Sequence, residues 1–353
     1  MLTDIFAERY ADVPIWQAYG ESERRLLVQA FRIVSEQLFP YFGPDGKEKS
    51  DSKVTWKSIH DRLSMELGVQ ELAPQGYWVK TQMMGNEHTY WQQLALVQVC
   101  NNFVCAAYDS NVPADRFIKE RLSFVEIAFR DREKALEIQN ANLPTEIAKA
   151  ERDALLRPSR GIRLPGNVAD GMRAFNRIIN ESFRGYVDEF NERLRRAGTR
   201  LNYHNGFIQI SADEQVEVHI ETPFWALVKA PKWANVDTDM KEALDRRDAG
   251  GRDPAFYAAK ALESTIKIIS AEKGWTRGDE KGAAGFINNL VSQKNGRFID
   301  QWEGDALKAF FASVRNELGH GPGGQPMPEL SPQQTDWAIE FCMSWTKSLI
   351  KRL

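Results

Sequence analysis

Apolar residues recur along this chain at three- and four-residue intervals, the signature of helices that bury one face. Between Glu21 and Phe39 the stripe is Leu26, Leu27, Ala30, Ile33, Val34 and Leu38, and Pro40 stops it. Further helices are predicted over 55–67, closed by Gly68, and over 89–106 and 114–139. Pro144, Pro158, Gly161, Pro165 and Gly166 then break the pattern and place a boundary near residue 155. Beyond it Met172, Phe175, Ile179, Phe183, Tyr186, Phe190 and Leu194 form the stripe of one long helix, ended by Gly198.

The β signal is confined to the middle. Leu201 to His204 and Phe207 to Ile210 flank Asn205-Gly206, the pair favoured in type I′ hairpins because both residues accept positive φ. Val216, Val218 and Ile220 alternate with Glu217, His219 and Glu221, which predicts a third strand. A helix over 237–247 runs into Ala249-Gly250-Gly251, and Asp253-Pro254 reads as an N-cap followed by a first helical residue. Helices over 254–273, 282–293, 304–318 and 332–352, with short connections, then form a four-helix unit. The expected class is mainly α. A helical part spans 1–155, a long helix with a small β-sheet connector spans 156–250, and a helical bundle spans 251–353.

Composition adds limits. The 353 residues are 42% hydrophobic and 27% charged, an ordinary globular balance. A net charge of -3 supplies no global field for nucleic acid, so such a site must be local. Three cysteines, Cys100, Cys105 and Cys342, point to a reducing compartment without a disulfide framework or a Cys-rich metal site. No apolar run reaches membrane-spanning length, and the first residues lack a basic-then-apolar leader, so a cytoplasmic protein with no membrane association is expected. His60, His88, His204 and His219 have no metal-ligand spacing, and no phosphate-binding Gly-rich loop or Gly-x-Ser-x-Gly elbow occurs. No cofactor is expected.

The strongest chemical constellation is Arg315-Asn316-Glu317-Leu318-Gly319-His320-Gly321. On a continuous helix, residues five apart diverge by about 140°. Gly319 can end the helix in the left-handed conformation, so that the chain folds His320 back toward Arg315 and Asn316. Imidazole moves protons near neutral pH, guanidinium binds phosphate in a fork, and the amide orients. Together they suit cleavage of RNA by its own 2′-hydroxyl, a reaction that needs no metal. The same residues also read as a solvated arginine and a histidine near a helix C-terminus, where cations are favoured. Glu263 and Lys267, four apart, read either as an exposed helical pair or as support for Arg315. Arg193, Arg195, Arg196 and Arg200 form a basic run that is either a solvated face or a phosphate-contact patch.

A four-helix unit with Arg315, Asn316 and His320 ahead of a final amphipathic helix resembles the HEPN superfamily of nucleotide-binding domains. Its opening helix, with Ala261-Leu262-Glu263-Ser264 and Lys267, resembles that of C-terminal domains in bacterial abortive-infection (anti-phage) proteins, and the first 155 residues are similar to a helical N-terminal domain of that group. The resemblance implies a metal-independent endoribonuclease that acts on RNA as an abortive-infection effector or toxin. It implies a homodimer through the C-terminal domain with a composite cleft, and control by an antitoxin or a phage-derived trigger. His320 would be the acid/base, Arg315 the phosphate ligand and Asn316 the orienting residue. Some members of the superfamily only bind RNA or dimerise, so a non-catalytic RNA- or protein-binding module is the alternative.

Overall fold

The computed structural model describes residues 5–83, 86–156, 168–211, 214–316 and 329–353. The chain divides into two compact units, residues 3–208 and 209–353. The seam lies inside the predicted hairpin, not near residue 155 or 250. The long helix of the expected connector accounts for part of this difference, because it buries Phe183, Phe190 and Leu194 within the first unit.

The first unit contains α1 (Phe6–Arg9), α2 (Glu21–Arg32) with a π turn over Ile33–Leu38, and α3 (Ser50–Glu66). It continues through β1 (Gly76–Met83), β2 (Asn86–Gln93), α4 (Leu96–Val104), α5 (Ala114–Leu156), α6 (Val168–Arg196) and β3 (Leu201–His204). β3 pairs with β4 (Phe207–Ile210) through Asn205 at φ 43° and Gly206 at φ 90°, the positive values expected of that turn. The core is built on α5, where Phe117, Ile118, Leu122, Phe124, Val125, Ile127, Ala128 and Phe129 are all buried.

Glu126 lies within that apolar run and is fully buried. It accepts from Arg9 at 3.0 and 2.5 Å, from Arg130 at 2.6 Å and from the Ile208 N–H at 2.7 Å. Both guanidinium carbons stand 4.6 Å from the centroid of the Phe207 ring. A buried carboxylate is tolerated only when paired and hydrogen-bonded in this way.

Two segments of this unit depart from the sequence reading. Helix α5 passes through Pro144, where the apolar pattern predicts a break. One turn earlier Asn140 exchanges hydrogen bonds with Asn176 and Asn180 of α6 at 2.8–3.0 Å, which ties the two helices together beside the proline. Residues 89–93, expected at the start of a helix, belong to β2 instead. β-branched and aromatic residues on both arms favour the strand, and Trp78 pairs with Trp91, ring centroids 5.4 Å apart. Tyr77, Trp78, Tyr90 and Trp91 are all exposed, and a Cβ on Gly76 would sit 2.6 Å from the Trp91 ring.

The second unit begins with α7 (Glu214–Val216), which continues as a π turn over Glu217–Glu221 and α8 (Thr222–Val228). The predicted third strand is therefore helical. The alternation over 216–220 does not mark a buried sheet face, since Val218 is 54% exposed. Then follow α9 (Ala234–Asp248), α10 (Pro254–Glu272), α11 (Gly282–Val291), α12 (Gln301–Phe310) with a π turn over Phe311–Asn316, and α13 (Pro332–Lys351). Pro254 opens α10 as expected, but Asp253 is left-handed, φ 56°, and its side chain makes no cap bond. Helix α10 is central: Ala255, Ala258, Ala259, Ala261, Leu262, Ile266 and Ile269 are buried, and the small residues let α9 and α13 approach closely. Among the described residues no helix is long and apolar enough to cross a membrane.

Candidate functional site

Arg315 stands in the π turn that ends α12. Such wide turns break helical register and often occur at functional positions. Leu307, Phe310, Phe311 and Val314 turn into the core and fix this segment against α10. On α10, Phe256, Glu263 and Lys267 lie seven and four residues apart, hence on one face. The Arg315 guanidinium reaches that face: Nη2 is 3.2 Å from Oε2 of Glu263, and Cζ is 5.9 Å from the centroid of Phe256. Lys267 Nζ lies 2.9 Å from the other oxygen, Oε1, and 5.6 Å from the Phe286 ring.

Glu263 thus bridges two cations. Its side chain is 7% exposed, against 31% for Arg315 and 47% for Lys267. Glu263 is therefore buried rather than exposed, and it touches Arg315 as well as Lys267. The two cations that share this carboxylate stand at a surface that water reaches. Such a cluster can hold a phosphodiester oxygen, with the buried carboxylate fixing the guanidinium plane.

Of the other predicted site residues, Asn316 closes the π turn, and its side chain lies outside the described residues. His320 also lies outside them. Spacing alone could not reveal the Glu263–Arg315 contact, which joins residues 52 positions apart. A signal was nevertheless present: Glu263 is the one acidic residue between Asp253 and Glu272, in a segment rich in alanine and isoleucine.

The remaining histidines are structural or exposed. His60 is buried between Asp61 and Glu71, each 3.0 Å from a ring nitrogen. His204 is buried in β3, whereas His88 and His219 are exposed. Among the described residues no group of three or more His, Cys, Asp or Glu side chains is arranged to hold a metal. Burial pushes all three thiols up, Cys105 to about 11, and none forms a disulfide.

These features define a mainly α-helical protein of two units, with a carboxylate-bridged cation cluster in the second. Residues 4–226 match the family described as AbiJ N-terminal domain 4, and the chain belongs to that family, which makes it an abortive-infection-related protein. The match covers nearly all of the first unit and ends inside α8, so Glu263, Lys267 and Arg315 lie beyond it. No curated protein and no solved structure matches the chain.

Proposed function

We propose that the chain is an anti-phage effector whose second unit is a metal-independent endoribonuclease of the HEPN type. The observation that carries this reading is Arg315, held by buried Glu263 at a half-open surface, immediately before Asn316 and five residues before His320. In this mechanism Arg315 binds the non-bridging phosphate oxygens and Asn316 orients the substrate. The 2′-oxygen attacks phosphorus, the bond to the 5′-oxygen breaks, and histidine carries the proton from the 2′-hydroxyl to the leaving oxygen. A 2′,3′-cyclic phosphate and a 5′-hydroxyl result. One His320 per chain calls for two protomers if acid and base act together. Trp337 on α13, a large ring left 53% exposed, supports self-association through this unit. The first unit, with its family's link to abortive infection, would hold the activity until a phage-derived trigger or the loss of an antitoxin releases it.

The test is incubation of total RNA with wild type, His320→Ala and Arg315→Ala in EDTA. Wild type is expected to cleave and both variants to be inactive. Equal cleavage by wild type and His320→Ala, or none by either, sinks the assignment. A second reading, a non-catalytic RNA- or protein-binding module, draws on the engagement of Arg315 by Glu263 and Phe256, which also suits a structural arginine. Overexpression separates the two: an enzyme arrests growth and Arg315→Ala relieves the arrest, whereas a scaffold is harmless in both forms.

A further inference from the structure

The basic run at the end of α6 is not used by the proposed chemistry, yet part of it faces a cavity. Arg193 and Arg196 form one wall of a cleft whose other wall is the first turns of α2, with Ser22, Arg25 and Gln29. The cleft holds about 320 Å³, within the range of roughly 300–1,000 Å³ usual for small-ligand sites. It lies wholly within the first unit.

Its electrostatics favour an anion. Glu21 also lines the cleft and is shared by Arg25 at 3.1 Å and Arg24 at 3.9 Å. Arg195 and Arg196 share Glu192, and Arg193 pairs with Glu189. Of the residues that line the cleft, three are arginines, Arg25, Arg193 and Arg196, and one is acidic, Glu21. The nearby Glu23 carboxylate turns back to accept from the Gly20 N–H at 2.8 Å. Each guanidinium has five donors in a fork, more than one shared carboxylate can use. The C-terminal end of α6 would ordinarily repel an anion, but the Leu194 and Arg195 carbonyls already accept hydrogen bonds. Thr199 donates to the Leu194 carbonyl through N–H and hydroxyl at 3.3 and 2.9 Å, and the Gly198 N–H donates to Arg195 at 2.9 Å. The opposite wall is the N-terminal end of α2, whose partial positive charge adds to the arginines.

We propose that this cleft binds the phosphate of a nucleotide, either free or within an RNA chain. Arg25, Arg193 and Arg196 clamp the phosphate oxygens, and Ser22 and Gln29 offer neutral hydrogen-bonding groups to the sugar or base. The site is separate from the Arg315 cluster and does not depend on RNA cleavage there.

The full chain is titrated with AMP by calorimetry and with a fluorescent 2′-O-methyl RNA 10-mer, which cannot undergo 2′-hydroxyl attack, by anisotropy. Saturable binding is expected for at least one probe. It should weaken at least about tenfold in the double variant Arg25→Gln/Arg196→Gln, as the loss of two charge-assisted contacts implies. Gln29→Glu leaves every arginine in place, adds a negative charge to the cleft and should weaken binding similarly; it also decides the matter if the double variant misfolds. AMP binding identifies a free nucleotide as the ligand, and binding of the 10-mer alone identifies RNA. Failure of wild type to bind either probe, or equal binding by wild type and both variants, overturns the proposal.

Discussion

Replacing Glu263 by glutamine isolates what its carboxylate does for Arg315. The change keeps size and one acceptor oxygen but removes the charge that Arg315 and Lys267 share at 3.2 and 2.9 Å. Breaking a fully buried ion pair by removing one partner costs about 3–5 kcal/mol, while exposed pairs are worth roughly 0–1 kcal/mol. Glu263 is buried but its partners are 31% and 47% exposed, so both cations can regain water. The expected loss is accordingly about 1–2 kcal/mol, or a fall of about 3–6 °C in the midpoint of the second unit. Urea titration followed by circular dichroism measures it. A double-mutant cycle with Arg315→Gln should return a coupling of about 1 kcal/mol. RNA cleavage should fall through kcat more than KM, because a misoriented guanidinium is felt most as charge develops in the transition state. A coupling below about 0.3 kcal/mol, inside the usual additivity error, would falsify the claim that Glu263 positions Arg315.

Other expectations concern the rest of the chain. Glu126→Gln leaves the buried guanidiniums of Arg9 and Arg130 without their shared charge, and a loss of about 3–5 kcal/mol is expected in chemical denaturation of the first unit; a loss under about 1 kcal/mol contradicts the account. Burial pushes the Glu221 carboxyl up to about 7, against Arg247 and the Ser211 hydroxyl, which pull it down. Its folded pKa exceeds its unfolded value, so the group is neutral in both states below about pH 4 and the penalty accumulates between about pH 4.5 and 7. Stability of the second unit should therefore drop by up to about 3 kcal/mol across that window, and Glu221→Gln should remove the drop; parallel pH curves for the two proteins would exclude it. In native protein a thiol-reactive dye should reach Cys105 slowly and spare the buried Cys100 and Cys342, as mass spectrometry of the labelled chain would reveal.

The helices were legible wherever an apolar stripe ran for three turns or more. The stripe from Leu26 to Leu38, the long α6 and all four helices after Pro254 follow their periodicity, because one-sided burial is what a repeating pattern encodes. The errors fall where tertiary contacts decide. Five alternating residues at 216–220 carry too little information to separate strand from helix. The apolar run before Ala106 hid a strand because its partner, Tyr77 to Val79, supplies half of the evidence for it. Pro144 removes one backbone donor, and the long α5 continues past it beside the asparagine contacts to α6. At the candidate site, residue types and local spacing singled out Arg315. Its contact with Glu263 depends on the packing of two helices, which neither segment's own sequence contains.

The ribbon formed by β1 and β2 bears on how the protein behaves in concentrated solution. Its strands pair only with each other among the described residues, and four large rings remain open to water. Its only acidic and lysine side chains, Glu87 and Lys80, neutralise each other at 3.5 Å, so neither acts as a repulsive guard along an edge. This ribbon, rather than the packed helices, is where molecules of the chain should first adhere as concentration rises. A lysine in place of Trp78 should raise the solubility limit while leaving the core transition unmoved.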